Sequence, residues 1–550
     1  MSGIFTTLST TIISSRLSPS ITLRLEITQR IFNPFTSVSI PTKKFTTMAA
    51  RSYDEALTLL ATLQSNRAIT SLFTPPPTTS PSSPKPDLNA QAIPEMLLWL
   101  KRAGYTPSDL APLKTIHVAG TKGKGSVSAL ATSILTRYPA VAGRVGTYTS
   151  PHVVSVRERI ILDGQPISRE LFASYFFQLW DRFAESARAD GREEEGCRPF
   201  YFRFLTILAW HVFLSEGVRS AVVECGIGGE YDATNVIPAE AVTAAVVTQL
   251  GIDHVAMLGD TAEKIAWHKA GIFKPGVKSF TMKLEGRDGV MEVLRERAEE
   301  KGAPLVEVPY QKVLEWEGVE GARLGGDFQK FNMALAVAAV REHLVRLGHV
   351  FDEGPFARDD YSLKDMPREF VDGLRNASLR GRCEVIKDEA NAIEWYVDGA
   401  HTDESLEAAG KWFGCAANDL PRVVPVLVFN QQERDSQHLL KVLLHTVERT
   451  RCSNMGPFQL AIFCRNEEEE PAEGETRDLS VQEANARTFR DWDKSKVCAA
   501  WTETAVKPAL KAIADHAREW KRQGYTTQVL VTGSFHLVGA VIKNVEHVEG

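Results

Sequence analysis

Two hydrophobic patterns alternate along the chain. Short apolar, largely β-branched runs occur at Thr115–Val118, Val145–Thr149, Ser220–Cys225, Ala241–Thr248, Glu394–Val397, Val423–Phe429, Phe458–Cys464 and Val529–Val531, and they read as buried strands. Between them, apolar residues recur at helical spacing. Leu57, Leu60 and Ala61 mark a helix over 53–63, and Val127, Leu130, Ala131, Ile134 and Leu135 mark another after the first strong strand. Further helices are predicted at Pro94–Ala103, Phe200–Leu214, Thr261–Ala270 and Gln329–Val340, with a last one after His536. Val153–Ile161 reads as extended, Asp163-Gly164 as a turn, and Ser168 as an N-cap. Gly381–Ile386 opens a fresh strand. Strands alternating with helices predict parallel sheets covered by helices.

The pattern lapses over 350–375, around Gly354-Pro355, which places a domain boundary there. The expected division is a leader over 1–47, a larger domain over 48–365 and a smaller one over 366–550. Thr74–Pro86, rich in Pro, Ser and Thr, reads as a flexible loop. Asp190–Gly196 reads as a solvated acidic loop, and Glu467–Glu475 as a disordered acidic insert.

The first strong strand and helix enclose Gly120-Thr121-Lys122-Gly123-Lys124-Gly125-Ser126. Strand, glycine loop and helix form a phosphate cradle, because backbone N–H groups and the helix N-terminus both favour an anion. Lys124 supplies a cation for the outer phosphates, and Thr121 or Ser126 a hydroxyl. The loop is shorter than the usual P-loop: Val118 stands where its first glycine belongs, and Gly125 follows the lysine in place of Ser or Thr. Two later strands end in polar groups, Glu224 before Gly226-Ile227-Gly228-Gly229, and Asp253-His254 after Gly251. Both belong at the carboxyl edge of the same sheet, where open α/β folds collect ligands. On residue type alone, His254 reads as a structural histidine, and Lys269 as a cation closing a helix. Gln329 and Asn332 share a helix face, and the second half adds Arg382, Asp398 and His401. The predicted class is α/β: an N-terminal P-loop NTPase-like parallel sheet domain plus a smaller C-terminal Rossmann-like domain, with substrate held between them.

Composition narrows the partners. A net charge of −6 argues against nucleic acid as the main partner. Seven cysteines, an odd number with no C-x-x-C pair, argue against a disulfide framework or zinc site and favour a reducing compartment. No apolar run is long enough to span a membrane, which leaves peripheral association open. Residues 1–47 are rich in Ser and Thr, carry Arg16, Arg24, Arg30, Lys43 and Lys44 against the single acid Glu26, and read as a mitochondrial leader. Met48 offers an internal start, and with it a cytoplasmic form.

Ten segments, in order, resemble the folylpolyglutamate synthases of the Mur ligase superfamily. They are HVAGTKGKGS (117–126), YTSPH (148–152), RERI (157–160), ECGIGGEYDATN (224–235), Asp253-His254 with LGDT (258–261), HKAGIFK (268–274), DFQKFN (327–332), GRCE (381–384), DGAHT (398–402) and VTGSFHLVG (531–539). The resemblance runs from about residue 50 to the C-terminus and accounts for the short loop. It implies that ATP phosphorylates the γ-carboxylate of a folate glutamate tail, and that L-glutamate then attacks the acyl phosphate. It implies nucleotide contacts from Gly120, Thr121, Lys122, Gly123, Lys124, Gly125, Ser126, Asn332, Arg382 and Asp398. It implies Mg²⁺ on Ser150, Glu224 and His254, which reverses the structural reading of His254; a monovalent cation such as K⁺ is a further candidate. Lys124, His401 and Lys269 take catalytic roles, Lys269 matching a lysine carbamylated in bacterial relatives. Phe202, Tyr231, Asp232 and Ala233 fall where folate is expected, and the expected assembly is a monomer. Two departures stand out: Glu230 occupies a position that is often Arg in bacterial members, and Phe328 one that is often His. The nearest rival is dihydrofolate synthase, with the same chemistry on dihydropteroate; a P-loop ATPase without ligase activity is a rival from another class.

Overall fold

The computed structural model describes residues 51–64, 88–193, 196–352, 354–358, 362–416, 422–432, 434–451, 457–492 and 498–546. The leader over 1–47, Met48 and the loop over 74–86 lie outside the described residues. Glu194 and Glu195 of the acidic loop do so too.

Among the described residues, the first lobe is built on an eight-stranded sheet ordered β4-β3-β2-β5-β1-β6-β7-β8. Its strands are β1 (Lys114–Ala119), β2 (Arg144–Tyr148), β3 (Ile160–Leu162), β4 (Gln165–Pro166), β5 (Val218–Glu224), β6 (Val242–Val247), β7 (Ser279–Lys283) and β8 (Leu305–Pro309). From β2 to β8 every pairing is parallel, and β3 and β4 add an antiparallel edge. β1 lies between β5 and β6, so Val118 is in register with Glu224 on one side and Val246 on the other. The loops leaving the three strands therefore open at one edge. β6 is buried throughout, as expected of a strand covered on both faces. One face carries Phe172, Phe176, Phe204 and Trp210. The other packs Val127, Leu130 and Ile134 against the Ala-rich helix Gln329–Arg346, whose small side chains let it lie close to β6 and to the helix Lys124–Leu135.

The second lobe has a six-stranded sheet ordered β13-β12-β11-β14-β10-β9. It comprises β9 (Glu384–Asp388), β10 (Ile393–Val397), β11 (Val423–Phe429), β12 (Leu460–Cys464), β13 (Ala499–Glu503) and β14 (Thr526–Thr532). It is parallel except for β9 at the edge. It is the smaller of the two, in line with the expectation.

Five local expectations change. The helix expected from Pro94 begins at Leu88 and carries Pro94 inside it; its buried Met96, Trp99, Leu100 and Ala103 outweigh the amide that proline lacks. Of Val153–Ile161, only the end is extended, where β3 begins at Ile160. The Glu158 carboxylate accepts from the N–H groups of Val153, Val154 and Ser155 and folds the stretch into a 3₁₀ turn, Val156–Arg159. The helix expected over Gln329–Val340 continues to Arg346. The acidic insert is ordered: Glu467 pairs with Arg465, Glu468 with Lys543 and Glu469 with Lys507, while the Val506 N–H donates to the Glu467 carbonyl. Charge alone made it look disordered, and two of the three matching cations, Lys507 and Lys543, lie far along the chain. Finally, the helix Arg368–Asn376 buries Phe370 and Leu374 in the first lobe's core, so the chain passes to the second lobe after that helix, not before it. The strands β7, β8 and β13 were not anticipated. No helix among the described residues is long and apolar enough to cross a membrane.

The docking of Arg368–Asn376 on the first lobe is tight. A Cβ at Gly373 would meet Ile134 Cγ1 at 2.7 Å and Ile134 Cα at 2.8 Å. Gly373→Ala should therefore cost about 1–3 kcal/mol by overpacking. The check is the urea midpoint, which should fall with an unchanged slope; an unchanged midpoint would show that the contact is slack.

Candidate active site at the lobe junction

The loop after β1 is shaped by close approach. Gly120 (φ +152°) lies against Thr248, and Gly123 (φ +88°) against the Asn332 amide; a Cβ at either would overlap those side chains. The N–H groups of Thr121 and Lys122 donate to the Gln249 carbonyl at 2.9 and 3.2 Å, and Thr248 Oγ1 donates to the Lys122 carbonyl at 2.7 Å. The loop is thus pinned to the strand end beside it. The cradle left for an anion is the first turn of Lys124–Leu135, whose N–H groups have no partner within the helix. Ser126 in that turn is buried and accepts from Gln329 Nε2 at 3.3 Å, and Asn332 Nδ2 donates to Gln329 Oε1 at 2.8 Å.

Two lysines converge on one carbonyl. Lys124 Nζ donates to Gly120 O at 3.0 Å and Lys269 Nζ at 2.8 Å. Lys269 is 3% exposed. Burial, and then Lys124, push its pKa down to about 7. Lys269 reaches the loop from behind and is more than a helix-terminal cation. Glu224, also buried, receives a single hydrogen bond among the described residues, from the Ser150 N–H at 3.1 Å. Burial raises its pKa, offset by Lys124, Ser150, Arg382 and Arg159. His254 opens the helix Val255–Leu258 with φ +49°; its side chain is exposed and 3.7 Å from Asp253 Oδ2. Ser150, Glu224 and His254 line one cleft. No group of three or more His, Cys, Asp or Glu able to hold a metal occurs among the described residues.

On the folate side of the sequence expectation, Phe202, Tyr231, Asp232 and Ala233 all line the cleft. Tyr231 packs edge-on to His268, with ring centroids 5.6 Å apart. Asp232 faces its own loop. Its Oδ2 accepts from the Gly226 and Ile227 N–H groups at 2.9 and 3.0 Å, and its Oδ1 from Thr234 N–H at 2.9 Å and Oγ1 at 2.6 Å. Behind Thr234 lies His117, with Nε2 2.8 Å from Thr234 Oγ1. Burial drives the pKa of His117 down to about 3, so it is neutral, and since Thr234 donates to Asp232, His117 Nε2 donates to Thr234. Asp232 therefore holds the loop that presents Tyr231. Glu230 pairs with Arg297 and Lys301, both on the helix Asp288–Lys301.

The second lobe closes the site. Asp398 is buried, and its Oδ2 accepts from the Cys383 N–H at 2.8 Å. The Arg382 guanidinium lies 4.2 Å over the Phe535 ring; burial lowers its pKa, offset by the charges of Asp398 and Glu224. His401 Nδ1 faces Gly399 O at 2.8 Å, which fixes the proton on Nδ1 and leaves the Nε2 lone pair free. Burial lowers its pKa, so it is neutral at pH 7. Lys122 turns away from the helix cradle and crosses to the second lobe, with Nζ 2.7 Å from Glu404 Oε2 and 3.1 Å from Thr402 Oγ1. Loop, Glu224, His254, Arg382, Asp398 and His401 border a single cleft of about 2010 Å³.

No protein-family model matches the chain. It is 39% identical over 519 residues to the folylpolyglutamate synthase of Neurospora crassa, covering 91% of this chain and 93% of that protein. It is 37% identical over 513 residues to that of Saccharomyces cerevisiae, covering 90% and 87%. The chain belongs to the folylpolyglutamate synthase family. Its fold is also that of a Mycobacterium tuberculosis folylpolyglutamate synthase, solved in complex with ADP and AMPPCP, with a TM-score of 0.62, 22% identity, and coverage of 83% of this chain and 96% of that one. As a family member the chain is a ligase, which excludes the ATPase without ligation.

Within that family reading, the sequence missed Thr402, Glu404 and Arg434 on the cleft wall. Thr402 closes the DGAHT segment and Glu404 lies two residues beyond it, and only the contact with Lys122 singles them out. Thr248 and Gln249 were missed because their role is to fix a backbone, which leaves no residue-type signature.

The buried Lys269 gives a pH signature. Its folded pKa of about 7 lies below its ordinary 10.5. Between those values the unfolded chain binds more protons, so stability should rise with pH. Below about pH 7 both states bind the proton and the burial cost is present in full. The stability of wild type relative to Lys269→Met should climb by about 1 kcal/mol per pH unit from pH 7.5 to 9.5. Parallel pH profiles in urea denaturation would show that Lys269 keeps its proton in the folded state.

Proposed function

We propose that the chain adds L-glutamate to the γ-carboxylate of folates, tetrahydrofolate above all, at the expense of ATP. The observation that carries this is the pair of lysines on Gly120 O beside desolvated Glu224, facing neutral His401 across the lobe junction. The first turn of Lys124–Leu135 takes the phosphates, and Lys124 leaves Gly120 O for the transferred phosphoryl group. The folate carboxylate oxygen attacks the γ-phosphorus, and ADP departs. The glutamate amine then attacks the acyl carbon, phosphate departs, and His401 Nε2 accepts the proton that the amine gives up. Phosphorylation makes a good leaving group, and the residues supply position and charge. Asn332, Arg382 and Asp398 bound the nucleotide, and Tyr231 and Phe202 bound the folate. The M. tuberculosis relative, solved with ADP and AMPPCP, supports an adenine nucleotide as the ligand in this reading.

Glu224 and Ser150 fit a Mg²⁺ site, to which the family resemblance adds His254, a nitrogen donor beside Asp253. Glu224 is a buried carboxylate with one hydrogen bond and no ion pair among the described residues, and the Ser150 hydroxyl has no partner there. Mg²⁺ keeps several waters and asks for few protein oxygens, so this sparse donor set suits it. When bound, it would offset phosphate charge. A K⁺ requirement and a monomeric state belong to the same reading.

One assay separates this reading from dihydrofolate synthase. Purified protein with ATP, Mg²⁺ and labelled glutamate should label tetrahydrofolate; label on dihydropteroate alone would favour the rival. Lys124→Ala should lower ligation about a hundredfold or more with the fold retained, as judged by circular dichroism. Near-normal turnover would remove Lys124 from the mechanism.

The basic, acid-poor composition of residues 1–47 supports a mitochondrial leader, with a cytoplasmic form starting at Met48. Fusing 1–47 to a fluorescent reporter should send it to mitochondria, and a diffuse signal would refute the leader.

A further inference from the structure

The cation Lys122 has no role in the mechanism above. Its backbone is pinned on both sides, by Gln249 O and Thr248 Oγ1, so its side chain leaves the loop in a fixed direction. That direction leads to the second lobe, where Nζ and Thr402 Oγ1 together hold a carboxylate, that of Glu404. Thr402 is itself set by Ser405, whose Oγ accepts from the Thr402 and His401 N–H groups at 2.9 and 3.1 Å. An ammonium and a hydroxyl, each positioned by backbone contacts, make a carboxylate-binding pair. It lies one residue from His401, the group proposed to take the amine's proton.

The occupant is loosely held. The Glu404 side chain is 77% exposed, and an exposed ion pair of this kind contributes little. A free carboxylate entering the cleft can displace it at small cost. The incoming L-glutamate carries two carboxylates and must bring its amine to the acyl phosphate, which forms beside the loop that holds Lys122. Of the other cleft cations, Arg380 is committed to Glu384 and Glu546, Arg203 to Glu95, Arg159 to His152 and Arg157 to the Ile167 carbonyl, while Arg434 lines the same wall as His401 and is a second cation for the incoming carboxylates.

We propose that Lys122 and Thr402 form a subsite for a carboxylate of the incoming L-glutamate, and that Glu404 occupies it as a built-in competitor. The inference rests on the ligase reading, so wild-type glutamate incorporation is measured first; its absence would defeat that reading and not this subsite alone. Initial rates of the full-length protein are then followed against L-glutamate at saturating ATP and tetrahydrofolate. Glu404→Gln should lower the KM for glutamate about threefold to fivefold and leave the KM for ATP unchanged. Lys122→Met should raise the KM for glutamate about tenfold or more, and adding Glu404→Gln to it should change nothing further. An unchanged or raised glutamate KM in Glu404→Gln overturns the proposal. So does a benefit that persists without Lys122. Equal changes in every KM would mark the pair as a latch between lobes, and would also overturn it.

Discussion

Everything at the lobe junction depends on the crowding of charge around one backbone carbonyl. Gly120 O accepts from both Lys124 and Lys269, and the two amines repel each other. The fold tolerates this because Lys269 can release its proton near neutral pH. Glu224 is the opposite case, a carboxylate in a dry place with one hydrogen bond. Neither group is comfortable alone, and buried charges without full partners are costly. A polyanion with its cation would relieve both. The central position of β1 creates the arrangement, since β5 delivers Glu224 on one side and β6 leads to His254 on the other.

The second lobe turns a phosphate site into a ligase. It brings Arg382, Asp398 and His401 to the cleft from the ends of two adjacent strands, and fixes His401 in one tautomer through Gly399 O. The chain of His117, Thr234 and Asp232 does similar work in the first lobe, tying β1 to the loop that carries Tyr231. Both devices act through hydrogen-bonded side chains, so they fix geometry.

Much of this was legible in the sequence. The strands β1, β5 and β6 are dense in β-branched residues, and their polar terminal residues stand out against that background. The helix Gln329–Arg346 announced itself by its alanines. What stayed hidden depends on distant partners. The acidic insert is ordered by Lys507 and Lys543, which no local pattern connects to it. The helix Arg368–Asn376 joins the first lobe through buried Phe370 and Leu374 and the close fit of Gly373 against Ile134. Asp232 looked like a substrate contact, and its four hydrogen bonds turn it inward. Lys122 looked like one more phosphate ligand until its partner, 282 residues away, was in view.

We infer that buried Glu224 shares a cation with the phosphates cradled by Lys124–Leu135. Calorimetric titration of a non-hydrolysable ATP analogue, with and without Mg²⁺, tests it most directly in wild type and Glu224→Gln. The account predicts that wild type binds the analogue about tenfold or more tightly when the metal is present, and that Glu224→Gln loses this dependence. A metal dependence of equal size in the two proteins would contradict it.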